Sequence, residues 1–433
     1  MVLLSALACA QAGRSSNANT VRIDSAGVTI VTSDQPLWDA RDGWTLSHEP
    51  ILEIGAVGGD SAYQFHSAHT ALRLSDGRIA VANMGSNQLR YFDAAGKFIK
   101  NVGREGQGPG EWDQLYQLRR GGGDTLLVVE PANEHSIISP AGNYIDRFSL
   151  DPVERRDNIW GLGKLSSGYM VAFSLAPPPD RLRYSSGGEE EHVTLGPNRA
   201  PEGFYRDEYQ HFVYDLKGRM IDSVGLLPGR TQYGGNMQPA FATRGWYANA
   251  GDRLYFGPGN KHEIREYRFE ITPGIGDAAA MRVANPKKRL AVMILERIIR
   301  RAPDASLAVT QELIDRYKES ERRMWEDRQK AGQLPARVNI QIQMDHIAFP
   351  DSLPAQARLM IDSEMNIWEQ RYNLPGDSLD TFAIFDSTGV WQGRLTMPPR
   401  FRVTDIGSDY VLGIWRNDDD VQFVRMFRLN KKE

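Results

Sequence analysis

What this chain of 433 residues lacks narrows it first. It has a single cysteine, Cys9, so no disulfide forms within the chain and no set of thiolates exists for a structural zinc site. It has little charge of either sign in excess, since 51 Lys and Arg against 55 Asp and Glu leave a formal charge of −4. Such a balance excludes a nucleic-acid surface and gives no reason to expect a steered anionic substrate. No apolar run reaches the length of about 20 residues that crosses a bilayer. Glycine, by contrast, is plentiful at 41 residues, and its placement organises the rest.

The longest export-like feature is the run Val2-Leu3-Leu4-Ser5-Ala6-Leu7-Ala8, followed by the polar, small residues Gln11, Gly13, Arg14, Ser15 and Ser16. It has the size of the apolar region of a signal peptide. Leu7-Ala8-Cys9 resembles a bacterial lipobox, which implies acylation of Cys9. Ala6 stands where a larger aliphatic is usual, and no Lys or Arg precedes the run. Residues 1–20 are therefore expected to be a signal peptide and lipoprotein tether. The remainder would be exported and held at the periplasmic or outer-membrane face of a bacterial envelope, touching membrane only through the lipid.

After this segment the pattern has period 2. Leu72 and Leu74 alternate up to an Asp76-Gly77 turn; Ile79 and Val81, then Leu89 and Tyr91, continue to the turn Asp93-Ala94-Ala95-Gly96; Phe98 and Val102 follow. This is an up-and-down sheet of four short strands. The closing turn recurs as Ser139-Pro140-Ala141-Gly142, Asp215-Leu216-Lys217-Gly218 and Asp386-Ser387-Thr388-Gly389. A four-stranded unit every 40 to 50 residues or so is the mark of a β-propeller.

The stretch Gly103-Arg104-Glu105-Gly106-Gln107-Gly108-Pro109-Gly110-Glu111-Trp112 could cradle a phosphate or connect two blades. It carries no Lys-Ser/Thr, Pro109 interrupts it, and copies stand at Ile54–Asp60 and, worn, at Val224–Gly229. Repetition at blade spacing makes Gly103, Gly106, Gly108 and Gly110 blade-connector glycines rather than a phosphate loop. Together with Ala71 to Gly96, this stretch resembles the NHL-type repeat. The whole is similar to bacterial six-bladed β-propeller lipoproteins, most strongly over residues 50–150. The resemblance implies the fold and no particular activity.

The expectation is thus an all-β, six-bladed propeller of four-stranded antiparallel blades, forming one domain over residues 21–433. The units fall at about 68–104, 113–150, 157–225, 240–272, 346–397 and 400–431. The β-like segment Val21 to Thr32 is expected to complete the final blade and so close the ring. Two insertions are expected: a polar loop at 175–205, and a helical hairpin at 286–332. In the hairpin, Leu290, Met293, Ile294 and Ile298 form the stripe of a first helix, and Val309, Leu313, Tyr317 and Met324 that of a second.

No catalytic set is read. The eight histidines do not recur at one position of the repeat, whereas a propeller lyase or hydrolase would repeat His, Asp or Glu around the axis. His66 and His69 are the metal candidates, with calcium or zinc as the ion. Spacing of three on a strand places them on opposite faces, which suits joint ligation poorly. Asn417-Asp418-Asp419-Asp420 reads as a hairpin turn rather than a calcium loop. No cofactor is otherwise expected. The function favoured is binding without catalysis, of a small molecule, glycan or protein, by a monomer through its funnel face and helical hairpin. The alternative is a lyase or hydrolase with a metal in the central channel.

Overall fold

The computed structural model describes residues 16–17, 19–39, 42–153, 159–176, 181–186, 189–194, 203–234, 239–272, 289–303, 305–335 and 337–431. Its strands form six sheets, antiparallel within each blade, and the first strand of each blade is innermost. Blade 1 comprises Ala68–Arg73, Ile79–Asn83, Gln88–Phe92 and Phe98–Val102. Blade 2 comprises Gln117–Arg120, Leu126–Val129, Glu134–Ile138 and Tyr144–Ser149. Blade 3 is Ile159–Lys164, Met170–Leu175, Phe204–Tyr214 and Met220–Tyr233. Blade 4 is Trp246–Ala250, Arg253–Gly257, Glu263–Ile271 and Ala291–Arg301. Blade 5 is Gln356–Ile361, Ile367–Arg371, Thr381–Phe385 and Trp391–Thr396. Blade 6 takes Phe401–Ile406, Tyr410–Arg416 and Gln422–Asn430 from the C-terminal end and Leu52–Ile54 from the N-terminal end. The chain is a six-bladed β-propeller.

The turns show why the sequence folds this way. At the closing turn, Asp93 Oδ1 accepts from the N–H groups of Ala95 and Lys97, while Gly96 takes φ +81. Asp215 with Gly218 and Asp386 with Gly389 repeat the arrangement. A short carboxylate that satisfies two turn amides, followed by a residue free to adopt positive φ, reverses the chain in register. The apolar residues then pack between blades, in one cluster for each neighbouring pair. The cluster between blades 6 and 1, for example, joins Ile54, Leu412 and Val424 to Ala71, Val81 and Phe92. Between blades 1 and 2, Leu89 and Tyr91 meet Trp112, Leu118 and Val128.

Three expectations are corrected. Ring closure does come from an N-terminal strand pairing with the last one, but that strand is Leu52–Ile54. The segment Val21 to Thr32 instead forms a hairpin, Thr20–Ser25 with Val28–Ser33, whose second strand lies parallel to Ala291–Arg301 on the rim of blade 4. The first arm of the expected helical hairpin is that same strand Ala291–Arg301. It is paired on both edges, and over 292–298 its two faces are equally half-buried, so it lacks the alternation that would have marked it as β. The helical insertion is therefore helix α1, Gln311–Lys330, followed by the short helix α2, Ile340–Asp345. Within the polar insertion, Arg181–Ser186 and Glu189–Thr194 pair as a hairpin added to blade 3 rather than running as a loop. The worn glycine copy Val224–Gly229 lies inside the outer strand of blade 3.

Candidate functional site

The six inner strands run side by side around a central channel, all in the same direction. Counted from the residue after the one that closes the hairpin turn, the fourth residue of each second strand opposes Thr70, Gln117, Trp160, Trp246, Arg358 and Arg402 in blades 1 to 6. These six residues share one height in the ring, towards the mouth where the inner strands begin. His69 occupies a register shift beside Thr70.

Arg358 and Arg402 reach sideways to the next blade. Arg358 Nη1 donates to the Val403 carbonyl at 2.6 Å, and Arg402 Nη2 donates to the His69 carbonyl at 2.6 Å. One level deeper in blade 2, Arg119 Nη2 donates to Gln117 Oε1 at 2.8 Å. Among the described residues, none of these three guanidinium groups forms an ion pair with a carboxylate. All three retain some exposure although protein surrounds them, as befits side chains facing a channel.

The electrostatics record the crowding of like charge. Enclosure lowers Arg119 to about 10. Enclosure and then Arg402 lower Arg358 to about 10, against the pull of Asp380. Arg402 is lowered by burial and by Arg416. His69 falls to about 4, first by burial and then by Arg402 and Arg358. Burial is the first cause throughout and the only one at Arg119; at Arg358, Arg402 and His69 a neighbouring guanidinium adds to it, and there an anion would offset the charge.

The opposite mouth is neutralised. Arg120 pairs with Asp124 at 2.7 Å and Asp405 at 3.0 Å, and Arg73 with Asp409 at 3.7 Å. Tyr410 donates to Asp405 Oδ2 at 2.8 Å. The channel is thus polar along its axis: paired charges at one end, unpaired cations towards the other. Helix α1 sits on the cationic end. Its Leu313 and Tyr317 pack against Phe241, Phe349 and Tyr372, which belong to connections on that side of blades 4 and 5.

The arginines were not legible as a site in the sequence. They sit in unremarkable contexts, Gln117-Leu118-Arg119, Gln356-Ala357-Arg358 and Phe401-Arg402-Val403, and a net charge near zero conceals them. The signal that could have exposed them was a basic residue recurring on inner strands.

Of the residues read as candidates, His66 is exposed, its main chain bonded to Asn83 and Gly85, while His69 faces the channel. Two guanidinium groups acting on His69 make its surroundings poor for a cation. Among the described residues, no cluster of three or more His, Cys, Asp and Glu side chains could hold a metal ion. Cys9 lies outside the described residues. Gly103, Gly106, Gly108 and Gly110 lie between blades 1 and 2, where Glu111 accepts from the Gly108 N–H at 2.9 Å and pairs with Arg104. The loop's own carboxylate occupies the place a phosphate would take. At Gly103, with φ +82, a Cβ would stand 1.8 Å from the buried ring of Trp112. Asn417 to Asp420 form a turn in which Asn417 Oδ1 accepts from the N–H groups of Asp419 and Val421.

The histidines need one correction. His135 and His211 do recur at one position, each four residues before its closing turn, on the third strands of blades 2 and 3. Both are fully buried, with Nδ1 bonded to the carbonyl two residues earlier, that of Asn133 or Tyr209, at 3.0 Å. They lie between blades, where His135 Nε2 meets the inner-strand Gly161 and His211 lies beside Tyr247.

Comparison with known proteins agrees on the ring. A family model described as a 6-bladed beta-propeller matches residues 67–119, which span blade 1 and most of the inner strand of blade 2. Its likeness is one of fold. Among solved structures, the chain is similar to a protein of Bacteroides fragilis named as exported, at 10% identity and TM-score 0.47, over 93% of this chain and 100% of that one. It is also similar to virginiamycin B lyase from Staphylococcus aureus, at 10% identity and TM-score 0.36, over 88% and 99%. A regucalcin from Agrobacterium tumefaciens, named as calcium-binding, matches at 11% and TM-score 0.31, over 90% and 95%. No curated protein matches. Among the described residues, no helix is long and apolar enough to cross a membrane.

Proposed function

We propose that this protein is an exported, lipid-anchored propeller that binds a small anionic ligand at the cationic mouth of its channel, without catalysing its conversion. The observation that carries this reading is the pair Arg358 and Arg402 at one height of the ring, with Arg119 farther along the channel, three enclosed guanidinium groups without a carboxylate partner, set against a far mouth whose arginines are paired. An uncompensated cation inside a protein is costly, so a chain that keeps three of them has a use for the field they make. Guanidinium is also the group best shaped to grip carboxylate, sulfate or phosphate. Export and anchoring rest on the apolar run before Cys9 and on its lipobox-like setting.

Calorimetric titration with sulfate, phosphate, acetate and glucuronate tests the binding. One site per chain is expected for at least one of them, weakened roughly ten-fold or more in Arg402→Gln and in Arg358→Gln. Binding of an anion whose own charge is constant over the range, such as sulfate, should tighten as pH falls from 7 to 5: burial and then Arg402 and Arg358 hold His69 near 4, and an anion offsets the two guanidinium charges and so favours its protonated form. Affinities unchanged in both variants would refute the reading. Mass spectrometry of the membrane fraction, with Cys9→Ala as comparison, tests the anchor.

A further inference from the structure

Arg402 is not alone at its height in the ring. Trp160 stands at the equivalent register in blade 3, three blades round and so across the channel from blade 6. Its indole is 45% exposed, whereas the tryptophans of the blade interfaces, Trp112, Trp368 and Trp391, are at 0 to 2%. The exposure follows from what lies behind it. Phe173 and Tyr209 fill the space against the blade, with centroids 5.4 and 6.3 Å from the Trp160 ring, and Phe173 is itself backed by Tyr247 at 5.3 Å. The ring is propped from behind and left open in front. Fixed aromatics of this kind lose little freedom when a flat partner covers them.

The height therefore carries two unlike surfaces. On one side Arg358 and Arg402 offer donors without an ion-pair partner, with His69 beside them; on the other, Trp160 offers a flat apolar face. Small inorganic anions would use only the first and leave the indole wet. We propose, building on the anion-binding reading above, that the ligand is a six-membered ring bearing a carboxylate or sulfate, its charge on Arg358 and Arg402 and its flat face on Trp160. Both an acidic pyranose sugar and an aromatic acid have this chemistry.

Calorimetry on the whole folded chain separates the possibilities with five probes: glucuronate, glucose, benzoate, acetate and sulfate. Glucuronate or benzoate should bind at least about ten-fold tighter than acetate, the gain expected of one stacked ring. Trp160→Ala should remove that gain while leaving sulfate and acetate affinities as they were. Trp160→Phe, which keeps a flat face, should retain part of the gain and guards against a folding defect in the alanine variant. Preference for glucuronate identifies the sugar acid, and preference for benzoate the aromatic acid; either supports the proposal. Sulfate and acetate binding that Arg402→Gln abolishes, with no gain from a ring or a gain that survives Trp160→Ala, would overturn the ring contact and leave the anion site standing. Absence of any anion binding would overturn both.

Discussion

His135 and His211 are the residues on which acid should act first. Each is fully buried between blades, and its Nδ1–H is committed to a main-chain carbonyl. The Nε2 of each has no hydrogen-bond partner, so nothing in the fold welcomes a second proton. Burial lowers both to about 4, outweighing the carbonyl contacts, which act the other way. In the unfolded chain a histidine titrates near 6.5. Between those two values the unfolded state takes up a proton that the folded state refuses. Stability therefore falls as pH drops through that window and is lost in full below about 4. The loss is on the order of 3 kcal/mol for each ring. Urea unfolding at pH 7, 6, 5 and 4 should show a steep decline below pH 6.5. A variant with His135→Asn and His211→Asn, which can keep the Nδ1-like donor without titrating, should decline less. Equal slopes for the two proteins would show that other groups govern acid unfolding.

Among the elements, helix α1 is the one attached to the ring without being part of it. It starts at Thr310, whose side chain accepts from the Leu313 N–H, and it grips through Leu313 and Tyr317. Further along, its bonds go to the segment of helix α2 rather than to the blades: Arg322 donates to Gln341 Oε1 at 3.3 Å and Gln329 to the carbonyls of Pro335 and Val338 at 3.2 and 3.4 Å. None of the six inter-blade clusters includes a residue of helix α1 or α2. Leu313→Ala with Tyr317→Ala should therefore free the helix and leave the blades intact. By hydrogen exchange, the amides of residues 314–330 should lose protection while the strands keep theirs, and the melting temperature should move by only a few degrees or less. Protection lost in blades 4 and 5 as well would make the helix part of the cooperative unit. The elements also show what the sequence could reveal. Blades 1, 2 and 5 were legible because each reversal has a local chemical cause, such as Asp93 bonding two amides ahead of Gly96. The outer strand of blade 4 was not. Its apolar run, Ala291 to Ile299, fits a helical stripe as well as a buried strand, and only the pairing with Val28–Ser33 far away in sequence decides between them. The channel arginines were hidden for a related reason. Their significance lies in which acids they fail to meet, and that is settled by the closing of the ring.

For the whole molecule, the N-terminal segment acts as a belt around three blades. Val28–Ser33 joins the rim of blade 4; Leu37 and Trp38 then donate to the carbonyls of Trp391 and Gln392 on the rim of blade 5; Leu52–Ile54 completes blade 6. These contacts differ in consequence. The first adds strands to a blade that already has four, whereas Leu52–Ile54, with the two-residue strand Thr45–Leu46 beside it on Gln422–Asn430, supplies the whole outer edge of blade 6 among the described residues. Leu52 and Ile54 belong to the cluster that seals blade 6 to blade 1, so their removal opens the circle. Two buried aliphatic side chains of this kind are worth roughly 5 kcal/mol or more together, a large part of the stability of an ordinary domain. A chain beginning at Asp34 should fold and melt cooperatively, a few degrees lower, with the exposed edge of Ala291–Arg301 raising its tendency to associate. A chain beginning at Val57 should show no cooperative transition by circular dichroism and should elute as aggregate. Adding back a peptide of residues 45–56 should restore some folding if closure is what was lost. A chain from Val57 that melts like the full protein would mean that the apolar contacts between blades hold the ring without any strand to close it.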